Sequence, residues 1–240
     1  MDVLEATIRT RGEITFTSRE VGRLADTEPY VLNTALYYAL GLAKGQYVDR
    51  SFEPTYVEDT DPIAEEVYVS PAAPVPGTNP KYVTTTYNAT RDEYAVVNYA
   101  AEDDPYESRN LPSYGRRRSL VRGTELRFFV IPWNRDAAVV ADDLPQYARI
   151  GKKRGKARID LTVREATRQS GSFRVNHPIG AYDHVEMPTG NVVTKSMQPT
   201  PLVLQGDYEG EYLRIDRSSA DTEPKKVELP ADLAFLAKKR

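Results

Sequence analysis

The sequence predicts an α+β fold with much antiparallel sheet. Apolar residues recur at helical spacing in a single long run: Val31, Leu32, Ala35, Leu36, Ala39, Leu40 and Ala43. Many other short segments are rich in β-branched and aromatic residues and are bounded by turn residues, as strands are. Strands and helices do not alternate along the chain as a doubly wound sheet requires. A strand, then a helix lying on the sheet, then hairpins is compatible with a ferredoxin-like core carrying large β-rich insertions.

Residues 3–10 mix β-branched and polar side chains and read as a first strand, which residues 13–18 can continue after a turn at Gly12. The helix is expected over 28–44, with Thr27 capping its start, Pro29 in its first turn and Lys44 with Gly45 at its end. Residues 49–80 hold six prolines and read as mostly irregular chain with a short strand at 67–69. Residues 81–88 and 94–99 read as a hairpin around 89–92, and 102–119 as a polar loop. Residues 124–131 are a strong strand, alternating and then apolar. A glycine-rich basic turn within 149–164 leads into a strand at 157–163. Further strands are expected at 170–175, 191–195, 202–204 and 208–215, with a short terminal helix after Pro230. The whole reads as one domain over 1–240, with an acidic, Pro-rich and hairpin insertion at about 49–120.

The net charge of −3 hides a strong polarity. Residues 51–107 carry 2 basic and 12 acidic side chains, and residues 108–174 carry 16 and 6. Like charges so concentrated repel unless an opposite partner is near. Either the two blocks pair within the fold or the basic block meets an external polyanion such as nucleic acid. There is no cysteine, which excludes disulfides, thiol catalysis and cysteine-bound metal, and two histidines are too few for a histidine-rich centre. No cofactor or metal is expected. No secretory leader and no apolar run long enough to span a membrane are visible, so a cytoplasmic protein is the expectation.

The strongest local signal is Gly151-Lys152-Lys153-Arg154-Gly155-Lys156-Ala157-Arg158, five cations in eight residues. Glycine lets backbone approach a phosphate, and lysine and arginine supply charge and bidentate donors. Three residues between the glycines, and Ala157 after the lysine, exclude a nucleotide-binding P-loop. A solvated hairpin tip and a nucleic-acid backbone site both remain open, with Arg149 beside the turn. Arg116, Arg117 and Arg118 form a second cluster near Tyr114 and Tyr106, where tyrosine can stack on a base while arginine holds the backbone. Arg19 and Arg23 precede the helix and can either hold an anion or pair with Glu20, Asp26 or Glu28. His177 and His184 raise acid–base chemistry, against a structural or phosphate-contact role.

The run Thr-Ser-Arg-Glu-Val-Gly-Arg-Leu-Ala-Asp-Thr-Glu-Pro-Tyr-Val-Leu-Asn-Thr-Ala-Leu-Tyr-Tyr-Ala-Leu-Gly-Leu at 17–42 resembles the type I-D member of the Cas-five family of CRISPR Cascade subunits. Three stretches agree in the same order: Val67-Tyr68-Val69-Ser70-Pro71-Ala72, Ile150-Gly151-Lys152 through Lys156-Ala157-Arg158, and Asn176-His177-Pro178-Ile179. The family usually has an aromatic residue after its Gly-Lys, where this chain has Lys153. The resemblance implies a modified RNA-recognition (ferredoxin-like) fold of the RAMP group. It implies a non-catalytic subunit that holds the 5′ handle of the CRISPR RNA and caps one end of the effector complex in antiviral defence. Partners would be the large subunit and the first backbone subunit, with target DNA near the protospacer-adjacent motif a further one. On this reading Arg149, Lys152, Lys153, Arg154, Lys156 and Arg158 hold phosphates. Arg19 and Arg23 help, Arg116–Arg118 meet RNA or target DNA, and His184 lies among the RNA contacts. A relative that processes RNA keeps a metal-independent endoribonuclease, using His184 or His177 with a tyrosine or Lys195, as the alternative. A structural adaptor whose charged blocks serve protein partners is the third reading.

Overall fold

The computed structural model describes residues 1–21, 24–45, 55–88, 114–152, 155–217 and 226–239. In chain order these form β1 (Asp2–Thr10), β2 (Arg19–Val21), β3 (Leu24–Asp26), α1 (Asn33–Ala39), α2 (Tyr56–Thr60), α3 (Ile63–Glu66), β4 (Val67–Val69), β5 (Ala73–Pro74) and β6 (Tyr82–Asn88). There follow β7 (Tyr114–Leu120), β8 (Glu125–Pro132), α4 (Ala137–Asp143), β9 (Tyr147–Ile150), β10 (Gly155–Val175), β11 (Ile179–Gly180), β12 (Val192–Lys195), β13 (Leu202–Asp216) and β14 (Lys226–Pro230). The fold is mixed α+β, mostly antiparallel sheet with few helices.

Strand β1 lies between β8 and β10, and the main path of the large sheet runs β11-β13-β10-β1-β8-β4. Successive side chains of a strand point to opposite faces. Leu4, Ala6 and Ile8 of β1, with Leu126, Phe128 and Val130 of β8, therefore join a core with Leu36, Tyr37 and Leu40 of the α1 segment and Val140 of α4. Val3, Phe129 and Ile131 point the other way, into a second core with Phe173, Tyr212 and Leu213 of β10 and β13. This is why β8 reads as a continuous apolar run: both of its faces are covered. Each such fully buried large side chain stabilises the fold by about 1.5–3 kcal/mol. A separate four-stranded sheet has the order β2-β3-β7-β6.

The structure departs from the sequence expectations at several elements. The helix expected over 28–44 is seven residues long. Val31 instead exchanges both backbone hydrogen bonds with Ala72 (3.0 and 2.8 Å), which holds the preceding chain extended, and Gly41 at φ +74° follows the helix end. The apolar stripe still packs on the cores, with Ala35, Ala39 and Ala43 half-buried, but Val31 and Leu32 reach their cores from extended backbone. Val67–Val69, within the stretch expected to be an insertion, is a strand of the large sheet on β8. Arg116–Arg118 lie in strand β7, not a loop. Three consecutive arginines hide a strand's alternation, and β7 is held by pairing to β6 and, in parallel, to β3. Strand β6 pairs with β7; the expected partner at 94–99 lies outside the described residues. The strands expected at 202–204 and 208–215 are one strand, β13. Helix α4, capped by the Asp136 carboxylate accepting from the amides of Ala138 and Val139, has no counterpart in the sequence reading. Among the described residues no helix is long and apolar enough to cross a membrane.

Candidate nucleic-acid interface

The basic turn joins β9 to β10, with Arg149 opposite Lys156 and Tyr147 opposite Arg158. Alternation buries Ala148, Ile150, Ala157 and Ile159 and leaves Arg149, Lys156 and Arg158 exposed on the other face with Tyr147. The two glycines of the turn serve a close approach, though not to a phosphate. Gly151 has φ +79°, and a Cβ there would lie 2.4 Å from the carbonyl oxygen of Thr15; one on Gly155 would lie 2.5 Å from that of Glu13. Only glycine fits where two backbones pack so tightly. The amide of Lys152 donates to the same Thr15 carbonyl at 2.9 Å. The turn is thereby welded to residues 13–15.

That segment also meets the small sheet. The hydroxyls of Thr15 and Ser119 are 2.9 Å apart, and Ile14 exchanges backbone hydrogen bonds with Leu120 (3.1 and 2.9 Å). Two basic clusters more than thirty residues apart in sequence thus flank one strap. On β7, Arg116 and Arg118 share a face and Arg117 points to the opposite one. Strand β1 adds Arg9, in register with Arg158, and Arg11, whose amide donates to the carbonyl of Lys156 at 2.7 Å. The β7–β8 turn packs on the end of β1: Thr10 donates to the carbonyl of Thr124 at 3.0 Å, and Gly123 donates to that of Thr10 at 2.9 Å. This brings Arg122 in, and Val121, donating to the carbonyl of Lys81, brings in Lys81.

Carboxylates neutralise some of these cations. Asp26, buried, pairs with Arg118 and with Arg19 Nε at 3.0 Å. Glu28, also buried, lies 3.5 Å from Arg19 and 2.9 Å from Lys195 Nζ. The Arg118 guanidinium stacks 4.4 Å above the Tyr82 ring. Arg19, of the two options read from sequence, takes the ion pair. Arg158 pairs with Asp160 at 2.7 Å, and Arg9 with Glu125. By contrast Arg11, Lys81, Arg116, Arg122, Lys152 and Lys156 are all exposed and make no ion pair among the described residues. Five of them lie on segments that meet at the end of β1, and Arg116 stands farther along β7, opposite Leu24 and Thr86. The acidic 51–107 block contributes Glu66, 3.9 Å from Arg135, on a different part of the sheet.

Arg23, Lys153 and Arg154 lie outside the described residues, as does Tyr106. His184 does not belong with the cations. It is 5% exposed, its Nδ1 is 2.7 Å from Asp232, and its ring packs edge-on against Tyr208. His177 is also buried, its Nε2 3.0 Å from the carbonyl of Pro71 and 2.9 Å from Ser70 Oγ. Burial, with repulsion from Arg127, pushes its pKa down to about 3, so it is neutral at pH 7. This histidine ties together two of the family-like stretches, 67–72 and 176–179. Sequence reasoning missed Arg11, Lys81, Arg122 and Tyr147, which stand outside the runs of consecutive cations. Arg9-Thr10-Arg11, two cations at strand spacing, is the signal that could have found Arg11. The described residues hold no group of three or more His, Cys, Asp and Glu side chains fit for a metal ion.

A family model described as type I-D CRISPR-associated protein Cas5/Csc1 matches residues 1–238. No curated protein matches the chain. Among solved structures it is similar to a CRISPR protein from Archaeoglobus fulgidus, with 11% identity, TM-score 0.43, and coverage of 96% of this chain and 100% of that one. It is also similar to a chain of a type III-B Cmr-beta complex bound to cognate target RNA and AMPPnP. There the identity is 9%, the TM-score 0.44, and the coverage 87% of this chain and 85% of that one.

Proposed function

This chain belongs to the type I-D CRISPR-associated Cas5/Csc1 family, and from that premise we propose that it is a non-catalytic CRISPR RNA-binding subunit of a type I-D effector complex. It holds the 5′ handle of the CRISPR RNA and caps one end of the complex. One observation carries the reading: five exposed cations without a carboxylate partner among the described residues, Arg11, Lys81, Arg122, Lys152 and Lys156, gather where the β9–β10 turn, the β7–β8 turn and the end of β1 meet. A single strand needs such a track of charge for its phosphates. Strands β10-β1-β8-β4, with α1 between β1 and β4 in sequence and α4 between β8 and β10, follow the βαββαβ order of a ferredoxin-like core, which supports the RAMP reading of one domain with insertions. Protein partners are the large subunit and the first backbone subunit, and target DNA near the protospacer-adjacent motif is a further contact.

Burial of both histidines supports the non-catalytic reading over the endoribonuclease alternative. A general acid must reach the substrate, and a neutral His177 has no proton to give at pH 7. The test uses CRISPR RNA with and without its 5′ repeat handle, incubated with the full chain in the absence of metal. Tighter binding of the handle-bearing RNA, recovered intact, is the expected result. Cleavage of that RNA, or equal binding of the two, overturns the proposal.

A further inference from the structure

Tyr147 is the exposed aromatic of the cationic sheet face. It is 50% exposed, and Lys156 Nζ sits 4.6 Å above its ring, covering one side with a cation. Its cross-strand partner is Arg158, and Arg149 stands two residues along the same face. Beside this row opens a cleft of about 370 Å³, a volume within the range of ligand sites. Leu144, Pro145 and Leu161 give it apolar walls, and Gln146, Arg158 and Asp160 line it with donors and acceptors. Asp142 lines it too, so two carboxylates oppose one guanidinium. Such a cleft repels phosphate and suits an uncharged, flat, hydrogen-bonding group. The cations a phosphate needs, Lys156 and Arg11, lie on the next row of the same face.

We propose that Tyr147 and the adjoining Gln146–Arg158 cleft receive one unstacked base of the bound strand, so that this surface selects single-stranded RNA over duplex. The inference rests on the RNA-binding reading above and adds a base site to its phosphate track. A half-exposed aromatic ring offers a base a stacking platform whatever its sequence, while a base held within a duplex cannot reach it. The cation above the ring adds to the ring's grip on its surroundings.

The experiment measures binding of the full chain to a short single-stranded oligoribonucleotide and to the same sequence annealed as a duplex. Tyr147→Ala, Tyr147→Phe and the double variant Lys152→Gln/Lys156→Gln are compared with the parent chain. Loss of one stacked base corresponds to about 5- to 150-fold. Tyr147→Ala is therefore expected to weaken single-strand binding in that range and to leave duplex binding unchanged, with Tyr147→Phe close to the parent. A single strand carrying 2-aminopurine should also change its fluorescence on binding the parent and not Tyr147→Ala. If Tyr147→Ala binds the single strand as the parent does, while the lysine variant loses affinity, the base site is wrong and the phosphate track stands. If neither changes binding, both readings fall.

Discussion

The side-chain amide of Asn33 donates to the carboxylate of Asp183 across 2.6 Å, although 150 positions separate the two in sequence. Asp183 is 1% exposed and accepts three more hydrogen bonds, from Tyr68 Oη at 2.9 Å and from the amides of Gly180 and Leu236 at 3.0 Å each. One carboxylate therefore joins α1, β4, β11 and the C-terminal segment. Burial raises its pKa, and the four donors work against that rise. Removing the acceptor strands four buried donors. Asp183→Ala is expected to cost about 3–5 kcal/mol, as breaking a buried charged network does. Asn33→Ala, which removes one charged hydrogen bond, is expected to cost about 1.5–3 kcal/mol. Urea unfolding measures both, and an Asp183→Ala chain as stable as the parent would refute the arrangement.

His177 makes stability depend on pH. Its folded pKa, about 3, lies below the unfolded value of 6.5. Protonation therefore favours the unfolded chain. The contribution is fully present above pH 6.5 and is lost as pH falls from there toward 3. Between pH 7 and pH 5 it amounts to about 2 kcal/mol. The difference in unfolding free energy between those two pH values should shrink by that amount in His177→Gln. Parallel curves for variant and parent would rule the histidine out as the cause.

The glycines of the basic turn are expected to be intolerant of a side chain. Gly151→Ala adds a Cβ at positive φ and against the Thr15 carbonyl, and Gly155→Ala adds one against the Glu13 carbonyl. A cost of about 1–3 kcal/mol each is expected, which lowers Tm by roughly 2–4 °C per kcal/mol for a chain of this size. Gly12→Ala is the control, because nothing lies within 4 Å of its added Cβ. A thermal melt in which all three behave alike would contradict the packing of the turn on residues 13–15.

Neutralising Lys152 and Lys156 should flatten the dependence of log K on log salt for single-stranded RNA by roughly 1.4, at about 0.7 per phosphate contact. The matched comparison is Arg158→Gln. Arg158 already pairs with Asp160, so its loss should change the slope less than the loss of either lysine. Equal slopes across all three chains would remove this turn from the RNA track.

Several strands were legible from local pattern alone, β4, β6 and β12 among them. Alternation located β1 within one residue, and the apolar run located β8. The acidic and basic blocks, the basic turn and the family were also legible, because all are properties of neighbouring residues. The helix was overdrawn because the apolar spacing at 31–43 records burial, and residues 31 and 32 are buried in extended backbone. Strand β7 was missed because Arg116, Arg117 and Arg118 show no alternation, although Arg118 lies against Asp26 and Arg116 is exposed.

The sequence by itself determined the mixed α+β class, the positively charged third quarter and the family. Only the tertiary structure decided which positive charges are available. Strand register sets Arg118 against Asp26 and Arg9 against Glu125, 116 positions away, and the packing of the segments on either side of β11 buries both histidines. The same register brings Arg11, Lys81 and Arg122 to the basic turn. The reason is physical: burial is written in local periodicity, whereas a charge is quenched or left free by whichever strand the fold lays beside it.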